Sequence, residues 1–335
     1  MLLQRQWPLL FVEVKRLFVS LLMLAAGFAL LIKGADYLID GSVVIAKNLG
    51  ISELLIGLTI VALGTSSPEL AVSIQAAIKG SDIALGNVLG SNIANIGLIL
   101  GATALLTPLG VNKTTMSYEI PFVILITVAS GALILGNGNG LNRSDGIVLT
   151  TFFVIFMMYV FTMAKRDRKI SDIVEVEGKK DIKILEKSPV LAWIATIGGT
   201  AGVILGGNFV VDGGSSIARI FGVSDMLIGT TIVAIGTSLP ELVTTISAGK
   251  KSRSDLAIGN VVGSNIFNLL LVLGVSSTIS PIKAQRSLAA EIIFALLLAI
   301  VLPLLLFRKK KLDRPRGALL LIIYASFLVS SIFRG

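Results

Sequence analysis

Gly64-Thr65-Ser66-Ser67-Pro68-Glu69-Leu70 lies in the middle of a long apolar segment, and Gly236-Thr237-Ser238-Leu239-Pro240-Glu241-Leu242 repeats it 172 residues later. Each copy puts a proline and a carboxylate where an uninterrupted membrane helix should hold neither. A charge at the centre of a bilayer costs about 2.5–3.5 kcal/mol on insertion scales, so such a residue marks a functional site by default. Two of them at corresponding positions mark an internal repeat with a site at its middle.

Of the 335 residues, 54% are hydrophobic and 15% charged. A soluble domain carries about 25% charged residues. Several apolar runs approach the roughly 20 residues that span hydrocarbon, and they lack the alternation of an outer-membrane barrel strand. Working outward from the two motifs, we count ten predicted spans: 17–33, 53–79, 83–107, 119–136, 145–164, 189–207, 225–249, 256–280, 288–307 and 316–333. The predicted fold is all-α and polytopic, with ten transmembrane helices forming two inverted five-helix repeats. Residues 1–16 form an N-terminal extension, 17–164 the first repeat, 165–188 a cytoplasmic linker and 189–335 the second repeat.

The repeat extends well beyond the motif. Asp40-Gly41 corresponds to Asp212-Gly213, and Thr59-Ile60-Val61-Ala62 to Thr231-Ile232-Val233-Ala234. After a one-residue insertion, Gly86-Asn87-Val88-Leu89-Gly90-Ser91-Asn92-Ile93 corresponds to Gly259-Asn260-Val261-Val262-Gly263-Ser264-Asn265-Ile266. Glu119 corresponds to Glu291 and Gly146 to Gly317. Five spans per half is an odd number, so equivalent residues enter the membrane from opposite sides, as in many secondary transporters. A cytoplasmic central loop puts 20 of the 29 Lys and Arg residues inside, and the positive-inside rule then places both termini outside a cell membrane. The net charge of +9 reads as topology and contact with anionic lipid, not as nucleic-acid binding.

The chain has no cysteine and no histidine. A cation site must therefore be built from oxygen. Pro68 and Pro240 lack an N–H and clash with the carbonyl four residues back, which predicts a break and loose carbonyls around Ala62 and Ala234. Thr65, Ser66 and Glu69 share a helix face, as do Thr237, Ser238 and Glu241. Asn87, Ser91 and Asn95, and again Asn260, Ser264 and Asn268, recur every four residues as inward polar stripes. Ca²⁺ takes six to eight such oxygens, and Na⁺ accepts the same ligands with less charge. Asp36, Asp40 and Asp212 read as caps at span ends, with an ion vestibule as the alternative, and Ser81-Asp82 and Ser254-Asp255 as N-caps. Glu119 and Glu291 read as carboxylates opening helices.

The two motifs, together with Gly86–Asn95 and Gly259–Asn268, resemble the paired α-repeats of the sodium/calcium exchanger family, prokaryotic branch of the cation/calcium antiporter superfamily. The resemblance covers nearly the whole chain. It implies that spans two, three, seven and eight surround the ions while oblique spans one and six slide past them. It also implies that Glu69 and Glu241 bind Ca²⁺ directly. The Ala62 and Ala234 carbonyls, Thr65, Ser66, Thr237, Ser238, Ser91 and Ser264 would serve Na⁺ or Ca²⁺. Asn95 and Asn268 complete the candidate site; some relatives carry Asp at the latter position, so this site has one fewer ionisable group. The expected function is Na⁺/Ca²⁺ antiport, with H⁺/Ca²⁺ or other divalent exchange as the alternative. The transported ions are the partners; no cofactor, enzymatic activity or obligatory protein partner is expected.

Overall fold

Where a backbone crosses hydrocarbon, every N–H and C=O must be satisfied within the segment, so the apolar runs become helices. The computed structural model describes residues 2–81, 83–167, 185–186, 188–223 and 236–334, with side chains from residue 14 onward. Helix α1 spans Leu2–Leu49. It is followed by α2 (Glu53–Thr65), α3 (Ser67–Ile78), α4 (Ile83–Leu106) and α5 (Thr115–Gly136), and α6 (Arg143–Asp167). The second half has α7 (Pro189–Ile220), α8 (Leu239–Lys250), α9 (Ser254–Ile279), α10 (Ala289–Leu306) and α11 (Arg314–Arg334). Among the described residues eight helices are long and apolar enough to cross a membrane, or nine if the bent pair α2–α3 counts as one span. The expected span at 225–249 lies partly outside the described residues, as does most of the 165–188 linker.

Two spans are longer than the sequence suggested. Span one, expected to stop at Lys33, continues to Leu49, and span six, expected to stop at 207, continues to Ile220. At about 1.5 Å per residue both exceed a hydrocarbon core of about 30 Å, so each must run obliquely or project beyond it. Charged residues that looked like helix ends are interior positions, and two of them have a tertiary partner. Asp36 and Asp40 are not caps: Lys251 Nζ pairs with them at 3.3 and 2.8 Å. Asp212 also lies within a helix, exposed on α7.

Glycine at every seventh position joins these two helices. Gly27, Gly34 and Gly41 on α1 run antiparallel to Gly213, Gly206 and Gly199 on α7. A β-carbon on Gly34 would stand 2.8 Å from the Gly199 carbonyl oxygen and from Val203 N, and one on Gly206 would stand 2.7 Å from the Gly27 carbonyl oxygen. With no side chain between them, the backbones lie in direct contact along a smooth seam.

The same device builds the centre. Residues Leu256–Ile266 of α9 are all buried. A β-carbon on Gly259 would meet the Leu54 carbonyl oxygen at 2.7 Å, and one on Gly57 the Leu256 carbonyl oxygen at 2.7 Å. Gly263 sits as tightly against Leu58 and Ala62, and Gly97 and Gly101 against α11. Gly86 and Gly90, which the sequence pairs with Gly259 and Gly263, have no such close neighbour among the described residues.

Two small antiparallel ladders tie loops together between the helices. β1 (Leu109–Gly110) pairs with β4 (Lys311–Leu312), and β2 (Gly140–Leu141) with β3 (Ile282–Lys283). Two end-of-helix expectations are corrected, those for Ser254-Asp255 and Glu119, while Ser81 keeps a bond to the start of its helix. Helix α9 starts at Ser254 with Arg253 at the cap position, so Ser254 and Asp255 lie in its first turn. Ser81 accepts a long bond from Ile83 N (3.4 Å), while Asp82 lies outside the described residues. Glu119 does not open its helix but closes a π-helical turn, Thr115–Glu119, inside it.

Candidate functional site

The first motif folds as the proline dictates. Helix α2 ends at Thr65, Ser66 takes φ −86° and ψ 6°, and α3 resumes with Pro68 in its first turn. The two segments meet at a bend of 49°. The Ala62 carbonyl is not loose, contrary to expectation: Ser66 N donates to it at 2.9 Å, and Thr65 Oγ1 stands 3.4 Å away. Ser66 N makes an ordinary i→i−4 bond, because the N–H that Pro68 lacks would have served Gly64 and not Ala62; the oxygen's second lone pair is left for other use. The second motif repeats the pattern from Gly236 onward, with Ser238 at φ −92° and ψ 2° and α8 starting at Leu239. Ala234 lies outside the described residues.

The breaks put each carboxylate in the first turn of a fresh helix, where the N-terminal dipole favours negative charge. Glu69 and Glu241 are each 1% exposed. The motifs cross-link in both directions. Ser66 Oγ donates to Glu241 Oε1 at 3.0 Å, and the Thr237 hydroxyl hydrogen-bonds the Glu69 carboxylate. Thr65 Oγ1 donates to Asn260 Oδ1 at 3.1 Å.

Helices α4 and α9 supply the remaining walls. Asn95 and Asn268 are both buried at 1% exposure, beside buried Ser91 and Ser264. Asn95 Nδ2 donates to Asn265 Oδ1 at 3.0 Å, and Asn92 Nδ2 to the Asn265 carbonyl at 3.4 Å. These bonds join the two helices. Two π-helical turns, Asn95–Leu100 and Phe267–Val272, start at or just before the lower asparagines; the extra residue in such a turn re-aims side chains.

The structure brings α3, α4, α8 and α9 together and adds supports that the sequence reading did not name. Ser73, one turn beyond Glu69, accepts from Asn87 Nδ2 at 3.3 Å; at the corresponding place Thr245 accepts from Asn260 Nδ2 at 3.0 Å. The repeat carried a signal for them: Ser73 and Thr245 are also 172 residues apart. Asn92 and Asn265 were visible as duplicated Ser-Asn pairs, but their role in joining two helices was not.

The site holds a set of unanswered oxygens on its carboxylates, amides and hydroxyls. Glu69 Oε2, Glu241 Oε2, Asn95 Oδ1, Asn268 Oδ1, Ser238 Oγ and Ser264 Oγ are all buried without a hydrogen-bond partner. Buried polar atoms are almost always satisfied, and none of these six needs a proton to act as a ligand. The donor set is hard oxygen throughout, with two carboxylates and no third acidic group clustered with them among the described residues. Its formal charge of −2 matches one divalent cation or two monovalent ones. The arrangement therefore suits an alkali or alkaline-earth ion as cargo.

Residues 19–162 and 191–333 match the family model described as sodium/calcium exchanger protein. The CaxA protein of Alkalimonas amylolytica is 40% identical over 317 residues, covering 92% of this chain and 97% of that one. The sodium/calcium exchanger MaX1 of Methanosarcina acetivorans is 32% identical over 346 residues, covering 93% and 98%. Among solved structures, the sodium-calcium exchanger NCX_Mj soaked with 10 mM Na⁺ and zero Ca²⁺ superposes with a TM-score of 0.80 at 31% identity, covering 94% of this chain and 99% of that one.

Proposed function

The chain belongs to the sodium/calcium exchanger family, a family of transporters and not of enzymes, and from that premise we propose that it exchanges Na⁺ for Ca²⁺ across the cell membrane by alternating access. The observation that carries this reading is the pair of buried, opposed carboxylates with unpartnered oxygens around them. Glu69 and Glu241 hold Ca²⁺, whose two charges they neutralise. Thr65, Ser66, Thr237, Ser238, Ser91, Ser264, Asn95, Asn268 and the Ala62 and Ala234 carbonyls complete the shells of Ca²⁺ or Na⁺. Both ions compete for one −2 site, so binding of either excludes the other, and that exclusion couples their movements.

We assign the chain ten spans in two inverted repeats, 17–164 and 189–335, joined by a cytoplasmic linker, with both termini outside. The two ladders support this assignment. β1–β4 joins the loop after span three to the loop after span nine; β2–β3 joins the loop after span four to the loop after span eight. Ten alternating spans put each pair of loops on the same side. The oblique helices α1 and α7, in backbone contact along their glycine seam, move together past the four helices of the site.

The test is ⁴⁵Ca²⁺ uptake into proteoliposomes loaded with Na⁺, against vesicles carrying only a pH gradient. Uptake that requires internal Na⁺ is the expected result. Uptake driven by the pH gradient alone would replace Na⁺ with H⁺ as the coupling ion and make Glu69 and Glu241 the proton carriers.

A further inference from the structure

Away from the ion site, another buried carboxylate lacks a counter-charge among the described residues. Glu119 is 1% exposed. Its Oε1 accepts from the Tyr159 hydroxyl at 2.6 Å, and its Oε2 is buried with no hydrogen-bond partner. The π-helical turn Thr115–Glu119 ends on this residue. Beside it opens a cavity of about 390 Å³ between α5 and α6, lined by Glu119, Tyr118, Phe122, Leu125, Phe156 and Tyr159 among others. Phe122 and Phe156 stack along its wall, with ring centroids 5.5 Å apart.

The other half of the chain shows what such a carboxylate needs. Glu291, at the corresponding position, is 2% exposed. Arg286 Nη2 approaches it at 3.1 Å and Arg334 Nη1 at 3.5 Å. In the first half the corresponding positions hold Thr114 and Met163, which carry no charge. Among the described residues no Lys or Arg takes the place of those two guanidinium groups at Glu119; a cavity does.

We propose that this cavity binds the primary ammonium headgroup of a membrane phospholipid, with Glu119 as its counter-ion. The unpartnered Oε2 calls for a hydrogen-bond donor, which a primary ammonium supplies and a trimethylammonium does not. The aromatic rings favour a cation at their faces. The source is a lipid because of where the cavity opens. Tyr118, Leu125 and Ile155, at its rim, are 59%, 59% and 53% exposed on the apolar outer surface, so the approach is through acyl chains. Glu119 stands about 6 Å inside the start of α5 at Thr115, reckoned at 1.5 Å per residue, which is the depth where headgroups meet hydrocarbon.

The test is native mass spectrometry of the full chain released from bilayers of equimolar phosphatidylethanolamine and phosphatidylcholine with identical acyl chains. One phosphatidylethanolamine should be retained per chain, preferred about tenfold, as befits one charge-assisted hydrogen bond. Glu119→Gln should abolish the preference while leaving the melting temperature of the lipid-free protein within a few degrees. If that variant does not fold, Leu125→Trp, a change at an exposed position that fills the cavity mouth, should remove the bound lipid. Equal retention of both lipids, a preference that survives Glu119→Gln, or retention in Leu125→Trp would overturn the proposal. So would displacement of the lipid by millimolar ethanolamine, which would assign the site to a free amine.

Discussion

Lys251 holds α1 against the end of α8, and cutting that hold should shift the transport equilibrium. Its ammonium sits 3.3 Å from Asp36 and 2.8 Å from Asp40 and donates to the Asp36 carbonyl at 3.1 Å; Ser247 Oγ donates to Asp36 Oδ1 at 2.8 Å. The repeat places Lys79 and Asp212 where Lys251 and Asp40 stand in the other half, yet both are exposed and, among the described residues, form no ion pair with each other. One of two equivalent latches is closed and the other open. In the topology proposed above, the closed one is cytoplasmic, and sliding of α1 and α7 would exchange them. The Lys251 side chain is 22% exposed and those of Asp36 and Asp40 are 40% and 16%, so most of the Coulomb energy is screened. An exposed pair contributes about 0.2–1 kcal/mol; two pairs in one partly buried network contribute about 1–2 kcal/mol, a population factor of roughly 5–30. The chain has no cysteine, so spin labels can be placed at Tyr37→Cys on α1 and Ile78→Cys on α3, both at exposed positions. Lys251→Met should add or enlarge a second distance population by that factor. Lys79→Met should leave the present population dominant, and the double variant should return to within about twofold of the parent. A Lys251→Met distribution identical to that of the parent would refute the latch.

Three further outcomes follow from the site and the seams. Glu69→Gln or Glu241→Gln should abolish Na⁺-dependent ⁴⁵Ca²⁺ uptake, yet in Na⁺- and Ca²⁺-free buffer the melting temperature should hold or rise, because one of two buried like charges is gone; a large fall would make these carboxylates structural. Gly34→Ala should destabilise the protein by about 1–3 kcal/mol through overpacking against backbone, measured by thermal melting, although the same change at an open helical position would stabilise by up to about 1 kcal/mol. Asn260→Ala removes the acceptor of Thr65 and the donor to Thr245. It should cost about 1–3 kcal/mol in stability and weaken Ca²⁺-dependent uptake; unchanged values would show that Asn260 does not position the motif.

The membrane class, the repeat and the two glutamates were legible in the chain because their signals are local. Apolar runs, a proline and a carboxylate within seven residues, and asparagine every fourth residue each declare themselves without reference to the rest of the molecule. The break at Ser66 follows from Pro68 alone. Tertiary structure decided what meets across 170 residues or more: Ser66 with Glu241, Asn95 with Asn265, Lys251 with Asp36 and Asp40. Those partners also explain the misjudged ends. Lys33, Asp36 and Asp40 looked like the end of span one because an unpaired charge does not sit inside a membrane helix, and only a lysine from the other half of the chain shows that two of them are paired. The Ala62 carbonyl was expected to be free beside the proline, but the donor that Pro68 lacks would have served Gly64, and Ser66 N still reaches Ala62. Composition and spacing decide which groups must be satisfied; only the packing of distant helices decides by what.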